Sequence, residues 1–290
     1  MFLNKITTLA ISLPLLLAAT GCATTDLSHT YDPKKSKALN IADMGGLVTG
    51  IGDADIPKDS TGALTDSTAY AALSGYVGTL TAPTIGVNPL TGGLMGFFSM
   101  LATPKSHGAR NSFFAFMPAS EAGSPDQARV KLKEHLTLSF QKTLVDFNLM
   151  DKVIGSNPNA PDDYAIYFEK AEWGCPKYAE TKSQLDLCRI LIRVNKPALL
   201  NNTPQTDWLI KDNQFYYFSG SGDHFYNDVH FSLQKTAKPP TKKMFTQMSK
   251  HLPAWVYIYV APKKSLDDEG KPISFPYLLN QGKMEYFIKP

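Results

Sequence analysis

The sequence predicts an α+β fold: a mostly antiparallel sheet with two main helices on one face, preceded by a Gly-rich extension that reads as a helical hairpin. Three observations predict it. Short segments with period-two alternation of apolar residues recur after residue 105, and only two segments there carry a helical stripe. Before that point the composition differs, with 11 of the chain's 20 glycines lying between Gly45 and Gly96. Runs of strands interrupted by only two helices do not give the regular alternation that builds a parallel sheet. The expected organisation is a cleaved signal peptide at 1–21, a lipidated cysteine and polar tether at 22–40, a Gly-rich apolar extension at 41–104 and a globular domain at 105–290.

The domain begins with SFFAFMP (112–118), an apolar run of the buried-strand type. Ser124-Pro125-Asp126-Gln127 then supplies an N-cap, a proline at N1 and a glutamine at N3, which together start a helix. Ala128, Leu132, Leu136, Phe140, Leu144 and Phe147 follow at spacings of four and three, one continuous apolar stripe with His135 at its border. Next, Tyr164, Ile166 and Phe168 alternate with Ala165, Tyr167 and Glu169. In DLCRILIRV, Cys188, Ile190, Ile192 and Val194 share one face, and Arg189, Leu191 and Arg193 share the other. Residues 215–218 (FYYF) and 229–233 (VHFSL) read as a hairpin about Ser219-Gly220-Ser221-Gly222-Asp223. A second helix at about 241–252 precedes AWVYIYV, where Val256, Ile258 and Val260 oppose Trp255, Tyr257 and Tyr259. KMEYFIK reads as the last strand, which gives the order β-α-β-β-β-β-α-β-β.

The chain opens MFLNKITTLAISLPLLLAATGC. Lys5 precedes an uncharged run from Ile6 to Gly21, the charged and apolar regions of a secretory signal. The run is shorter than the roughly 20 residues needed to span a bilayer core of about 30 Å. Ala19-Thr20-Gly21-Cys22 resembles a lipobox, and on these residues the chain resembles bacterial envelope lipoprotein precursors. It departs from the pattern at Ala19, where that family more often has Leu. The resemblance implies cleavage before Cys22, lipidation of Cys22 with acyl chains such as palmitate, and attachment to a bilayer. Ala23 stands where an Asp would direct retention at the inner membrane, so the resemblance implies the outer membrane and a domain facing the periplasm. Each buried CH₂ contributes about 0.8 kcal/mol, and several chains anchor stably.

The chain has three cysteines. With Cys22 carrying lipid, Cys175 and Cys188 remain, in a compartment that permits disulfides. A bridge between them closes a loop of about 14 residues and stabilises by about 3 kcal/mol in the chain-entropy view. The formal net charge of +3 falls by one when Lys5 leaves with the signal, and the remaining basic residues are dispersed. That balance gives no electrostatic case for nucleic acid.

Residues 68–104 hold no charged side chain, and Pro83 and Pro89 divide them into two arms. Ser67, Ala71, Gly75 and Thr79 recur every fourth residue, and Gly92 and Gly96 form G-x-x-x-G. Small residues at that spacing let helix backbones approach closely. Each arm of about 14 residues reaches about 21 Å at 1.5 Å per residue, short of the hydrocarbon core. The segment is expected to act as an interaction element, packed on its own domain, held by partner subunits, or dipping into one leaflet.

Catalytic signatures are missing: no G-x-S-x-G, no H-E-x-x-H, no P-loop and no Rossmann fingerprint. The best constellation is SGDHFYNDVH, where Asp223, His224, Asp228 and His230 are weak candidates for a metal or acid–base site. A turn followed by a polar strand face is the simpler reading of the same residues. Aromatics are dense from Trp208 to Phe231, and Trp255, Tyr257 and Tyr259 add another such face. Adjacent aromatics in a strand cannot all enter one core, so some must face outward or meet a second layer. Tyr and Trp combine apolar area with a polar handle and suit interfaces. The expectation is a non-catalytic lipoprotein without cofactors. It would be a binding or scaffold subunit of an envelope assembly of the secretion or transport type, with envelope proteins as partners. The alternatives are a carrier of an apolar ligand such as lipid and a metal-dependent hydrolase.

Overall fold

The strand β1 (Ser112–Pro118) organises the sheet, because both of its edges are paired and both of its faces are buried. The computed structural model describes residues 29–47, 52–53, 110–149, 151–154, 163–180, 186–220, 227–261, 266 and 276–289. The elements run α1 (Lys37–Met44), β1, α2 (Pro125–Asp146), β2 (Asp151–Ile154), β3 (Asp163–Phe168), β4 (Cys188–Arg193), β5 (Ala198–Asn201), β6 (Gln214–Phe218), β7 (Asp228–Ser232), α3 (Thr241–Lys250), β8 (Val256–Val260), β9 (Tyr277–Asn280) and β10 (Lys283–Tyr286). The ten strands form one sheet in the order β10-β9-β8-β1-β7-β4-β3-β2, with β6 also on β1 and β5 on β6. Every pairing is antiparallel. The α+β class is as expected, and the strands β2, β5 and β9 are additional to those read from the sequence. No helix among the described residues is long and apolar enough to cross a membrane.

The expected hairpin of β6 and β7 does not form. Both strands lie on the same edge of β1 and run in the same direction: Phe218 faces Ala115, and Asp228 faces Ser112. Three steps along β1 therefore match ten along its partner, so seven residues leave the ladder between them. The chain leaves the ladder after β6, which is flanked by β1 and β5, and β7 does not pair back onto it. The neck between the two strands is closed at Asn227, whose Nδ2 donates to the Ser219 carbonyl at 2.8 Å and whose Oδ1 accepts from the Asn195 backbone at 2.7 Å. The Gly220 N–H donates to the Gly45 carbonyl at 2.7 Å, outside the sheet. Turn chemistry in the sequence marks a departure from the ladder, and only partners distant in sequence decide where the chain returns.

One face carries the helices that the stripe predicts. Ser124 caps α2 by accepting from the Gln127 N–H at 3.2 Å, and Gln127 Oε1 accepts from the Gly123 N–H at 2.9 Å. Ala128, Leu132, Leu136, Phe140 and Leu144 are buried against Phe113, Ile166, Ile190, Val256 and Ile258, and Met244, Phe245 and Met248 of α3 join them. Gln247 Nε2 and His251 Nε2 both bond Asp146 Oδ2, at 2.6 and 2.7 Å, fastening the end of α2 to α3. The two hydrogen bonds hold the Asp146 carboxyl below the usual carboxylate range, that from His251 most strongly. The disulfide Cys175–Cys188 is present and ties the segment after β3 to the first residue of β4.

The opposite face carries α1, an element the sequence reading did not assign; the expected tether 22–40 ends inside it. Eight residues are too few for an isolated helix to persist, so α1 exists through its contacts. Ala38, Ile41, Ala42, Met44 and Leu47 are buried in a second core with Phe114, Phe116, Phe215, Tyr217 and Tyr259. Its polar residues close on their own neighbours. Ser36 Oγ accepts from the Leu39 N–H at 2.9 Å and donates to Asp53 at 2.5 Å. Asn40 bonds both the N–H and the carbonyl of Asp32, and Lys35 pairs with Asp43 at 2.6 Å. Lys37 reaches Glu285 of β10 at 2.5 Å.

Candidate functional site

The face under α1 is not uniform. It divides where β6 gives way to β7 along the edge of β1, and the two halves present different chemistry. On one half, Phe114 stacks on Tyr257 with centroids 5.3 Å apart, and Phe116 stacks on Tyr217 at 5.8 Å. Burial pushes the Tyr217 and Tyr257 hydroxyls up to about 12, and Tyr259 higher still. The backbone of α1 comes very close here. A side chain added at Gly45 would lie 2.4 Å from the Phe114 ring, nearer than real Cβ atoms come.

This half corrects the expected aromatic docking face. Tyr257 and Tyr259 are buried beneath Ile41, Met44 and Leu47, so they complete a second core and present no surface. Trp255 parts from them and packs toward α2, edge-on to His135 at 5.5 Å. The FYYF strand resolves in the same way: Phe215 and Tyr217 enter the second core, while Tyr216 and Phe218 enter the first. Desolvation lowers the His135 pKa, which suits a boundary histidine.

The other half is polar. In β7, Val229 and Phe231 point into the core under α2, which turns Asp228, His230 and Ser232 to the opposite face. The register with β4 places Arg193 opposite Asp228, Leu191 opposite His230 and Arg189 opposite Ser232. One strand further, Tyr167 lies opposite Arg189. Among the described residues, the second core takes nothing from β3, β4 or β7, so α1 does not extend over this half.

Asp228 and His230 meet. Asp228 Oδ2 lies 2.9 Å from His230 Nδ1, and the side chains are 15% and 42% exposed, respectively. The carboxylate is the deep member and the imidazole the outer one. With the carboxylate accepting, Nδ1 carries the proton and Nε2 faces away from Asp228. The Arg189 guanidinium stands over the Tyr167 ring at 5.9 Å. Stacking engages the flat face of a guanidinium, while its N–H groups radiate along the edges.

Of the four residues expected at the acid–base constellation, the structure joins Asp228 and His230. Asp223 and His224 lie outside the described residues, and no group of three potential metal ligands occurs among those that are described. Cys22 and the small-residue series Ser67, Ala71, Gly75, Thr79, Gly92 and Gly96 also lie outside them. Arg189, Arg193 and Tyr167 were absent from the sequence-derived candidates. Their signal was the alternation in DLCRILIRV and DYAIYF, which puts them on one polar face but does not reveal β7 as the neighbour. Comparison with protein-family models, with curated proteins and with solved structures finds no match.

Proposed function

We propose that this chain is a lipid-anchored, non-catalytic subunit of a bacterial envelope assembly, attached through Cys22 to the outer membrane and facing the periplasm. The observation that carries the proposal is α1 with its flanking residues. The segment that follows the lipobox-like Ala19-Thr20-Gly21-Cys22 is built into the second core of the domain. Nine residue steps separate Cys22 from Tyr31, whose ring meets Trp208 edge-on at 5.1 Å. At about 3.3–3.6 Å per residue, the anchor keeps the domain within roughly 30 Å of the bilayer. The disulfide Cys175–Cys188 accords with an oxidising compartment, where such bonds persist.

Two measurements test this. Metabolic labelling with palmitate is expected to mark the full chain and to leave Cys22→Ser unlabelled. Crosslinking and pull-down from intact cells is expected to capture envelope proteins that are lost when 68–104 is deleted. An unlabelled wild-type chain sinks the anchor, and a partner set indifferent to the deletion sinks the role given to that segment. The carrier alternative loses support because the aromatic half is filled by α1.

A further inference from the structure

We propose that α1 with its flanking residues is a detachable clasp, which holds the domain close to the bilayer when docked and lengthens its tether when released. The change of reach rests on the anchor at Cys22 proposed above. The observation that carries the clasp is where α1 finds its polar partners. Ser36, Asn40 and Asp43 are all buried. A buried polar side chain needs a partner, and a bond that crosses an interface is lost when the interface opens. Ser36 bonds the Leu39 N–H and Asp53, Asn40 bonds Asp32 and the Ser36 carbonyl, and Asp43 pairs with Lys35. These partners all belong to residues 32–53, so they leave together with the helix.

What α1 shares with the sheet is of another kind. Ala38, Ile41, Ala42, Met44 and Leu47 make apolar contact in the second core, and apolar contact is non-directional. To this are added the ion pair of Lys37 with Glu285 at the surface and the Gly45 carbonyl, which accepts from the Gly220 N–H. The strand β1, by contrast, is paired on both edges and cannot leave without dismantling the sheet. Opening of an element held mainly by side-chain contact costs less than unfolding the whole molecule. The covalent path allows the release. Docked, α1 keeps the domain within roughly 30 Å of Cys22 through the chain up to Tyr31. Ninety residue steps separate Cys22 from Ser112 of β1, and at about 3.3–3.6 Å per residue the limit becomes roughly 300 Å.

The test follows amide hydrogen exchange in the mature chain with Cys22→Ser, a readout that needs no lipid. Amides of α1 are expected to exchange at least about tenfold faster than those of β1 and β8, with a weaker dependence on urea because less surface opens. Gly45→Leu forces a side chain against the Phe114 ring, where a Cβ already lies at 2.4 Å. It is expected to abolish protection in α1 and to leave β1 and β8 protected. In the acylated chain on vesicles, the same variant is expected to lower energy transfer from the tryptophans to a dansyl lipid. Exchange of α1 in step with β1 and β8 overturns the clasp, as does loss of protection in all three together in Gly45→Leu. Fast exchange in α1 with unchanged energy transfer overturns the change of reach, and a chain that palmitate does not label overturns the anchor on which that change rests.

Discussion

The two halves of the sheet face beneath α1 begin from similar strands and end differently. In β1, β6 and β8 the residues directed there are Phe114, Phe116, Phe215, Tyr217, Tyr257 and Tyr259, and the chain lays α1 over them. In β3, β4 and β7 the equivalent positions are Tyr167, Arg189, Arg193, Asp228 and His230, and α1 does not reach them. The aromatic half stabilises the fold through removal of apolar area from water, at about 25 cal/mol per Å². The polar half cannot contribute in that way to the same extent. A single sheet face thus combines a second core with a polar surface, and the boundary falls where the chain leaves the ladder at Ser219 and rejoins it at Asn227.

The widest contrast between the halves is in stability. Phe114→Ala empties the centre of the aromatic half and is expected to cost about 3–5 kcal/mol, measured by chemical denaturation of the mature chain. Reversible denaturation at an unchanged midpoint would show that α1 adds no second core. Next comes the bridge that ends on β4, on the α2 side of the strands that carry the polar half. Cys175→Ser with Cys188→Ser is expected to cost about 2–4 kcal/mol. Hydrogen exchange should then quicken in β3 and β4 before it does in β1 and β8, and uniform quickening would deny that the halves differ.

Alkaline pH probes the buried tyrosines of the aromatic half, alongside Tyr164 under α2, whose pKa burial also raises. The Tyr217 and Tyr257 pKa values are raised by burial to about 12 from an ordinary value of 10. The folded state therefore holds these protons more tightly than the unfolded state does. The stability they contribute is fully present below about pH 10 and is lost as the pH rises towards about 12. Phenolate absorbance from these residues is expected to appear together with unfolding near the upper end of that window, and a fully folded protein with both ionised at pH 10.5 would contradict it. The smallest effect belongs to the polar half: Arg189→Gln removes the contact with Tyr167 and is expected to lower stability by only about 0.5–1 kcal/mol. A loss comparable with that of Phe114→Ala would mean this half is also core.

How much of this was legible in the residues depends on how local each feature is. The α2 stripe, its Ser124 cap and the alternation of Val256, Ile258 and Val260 are set by neighbours a few positions away, and the structure contains all three. The α1 helix was not legible. Its eight residues include Asn40 and Asp43, both buried, and the partners that satisfy them come from flanking residues that read as a polar tether. The aromatic face was visible as a pattern, but its burial depended on that unrecognised helix. For the candidate site, Asp228 and His230 stood out in the sequence. Arg189 and Arg193 did not, because the pairing of β4 with β7 joins residues about forty positions apart.

By itself the sequence determined the α+β class, the two helices of the first face, the pairing of Cys175 with Cys188 and the strand periodicities, because each follows from local spacing or from cysteine arithmetic. Only the tertiary structure decided that β6 and β7 continue along one edge of β1, that α1 closes over the aromatic half, and that Arg189, Arg193 and His230 surround Leu191. Strand order and the covering of a face are set by hydrogen bonds and apolar contacts between residues far apart in the chain. Local propensity carries no record of which strand will be the neighbour. The same FYYF pattern was compatible with an exposed face or a second core, and the eight residues of α1 made it a core.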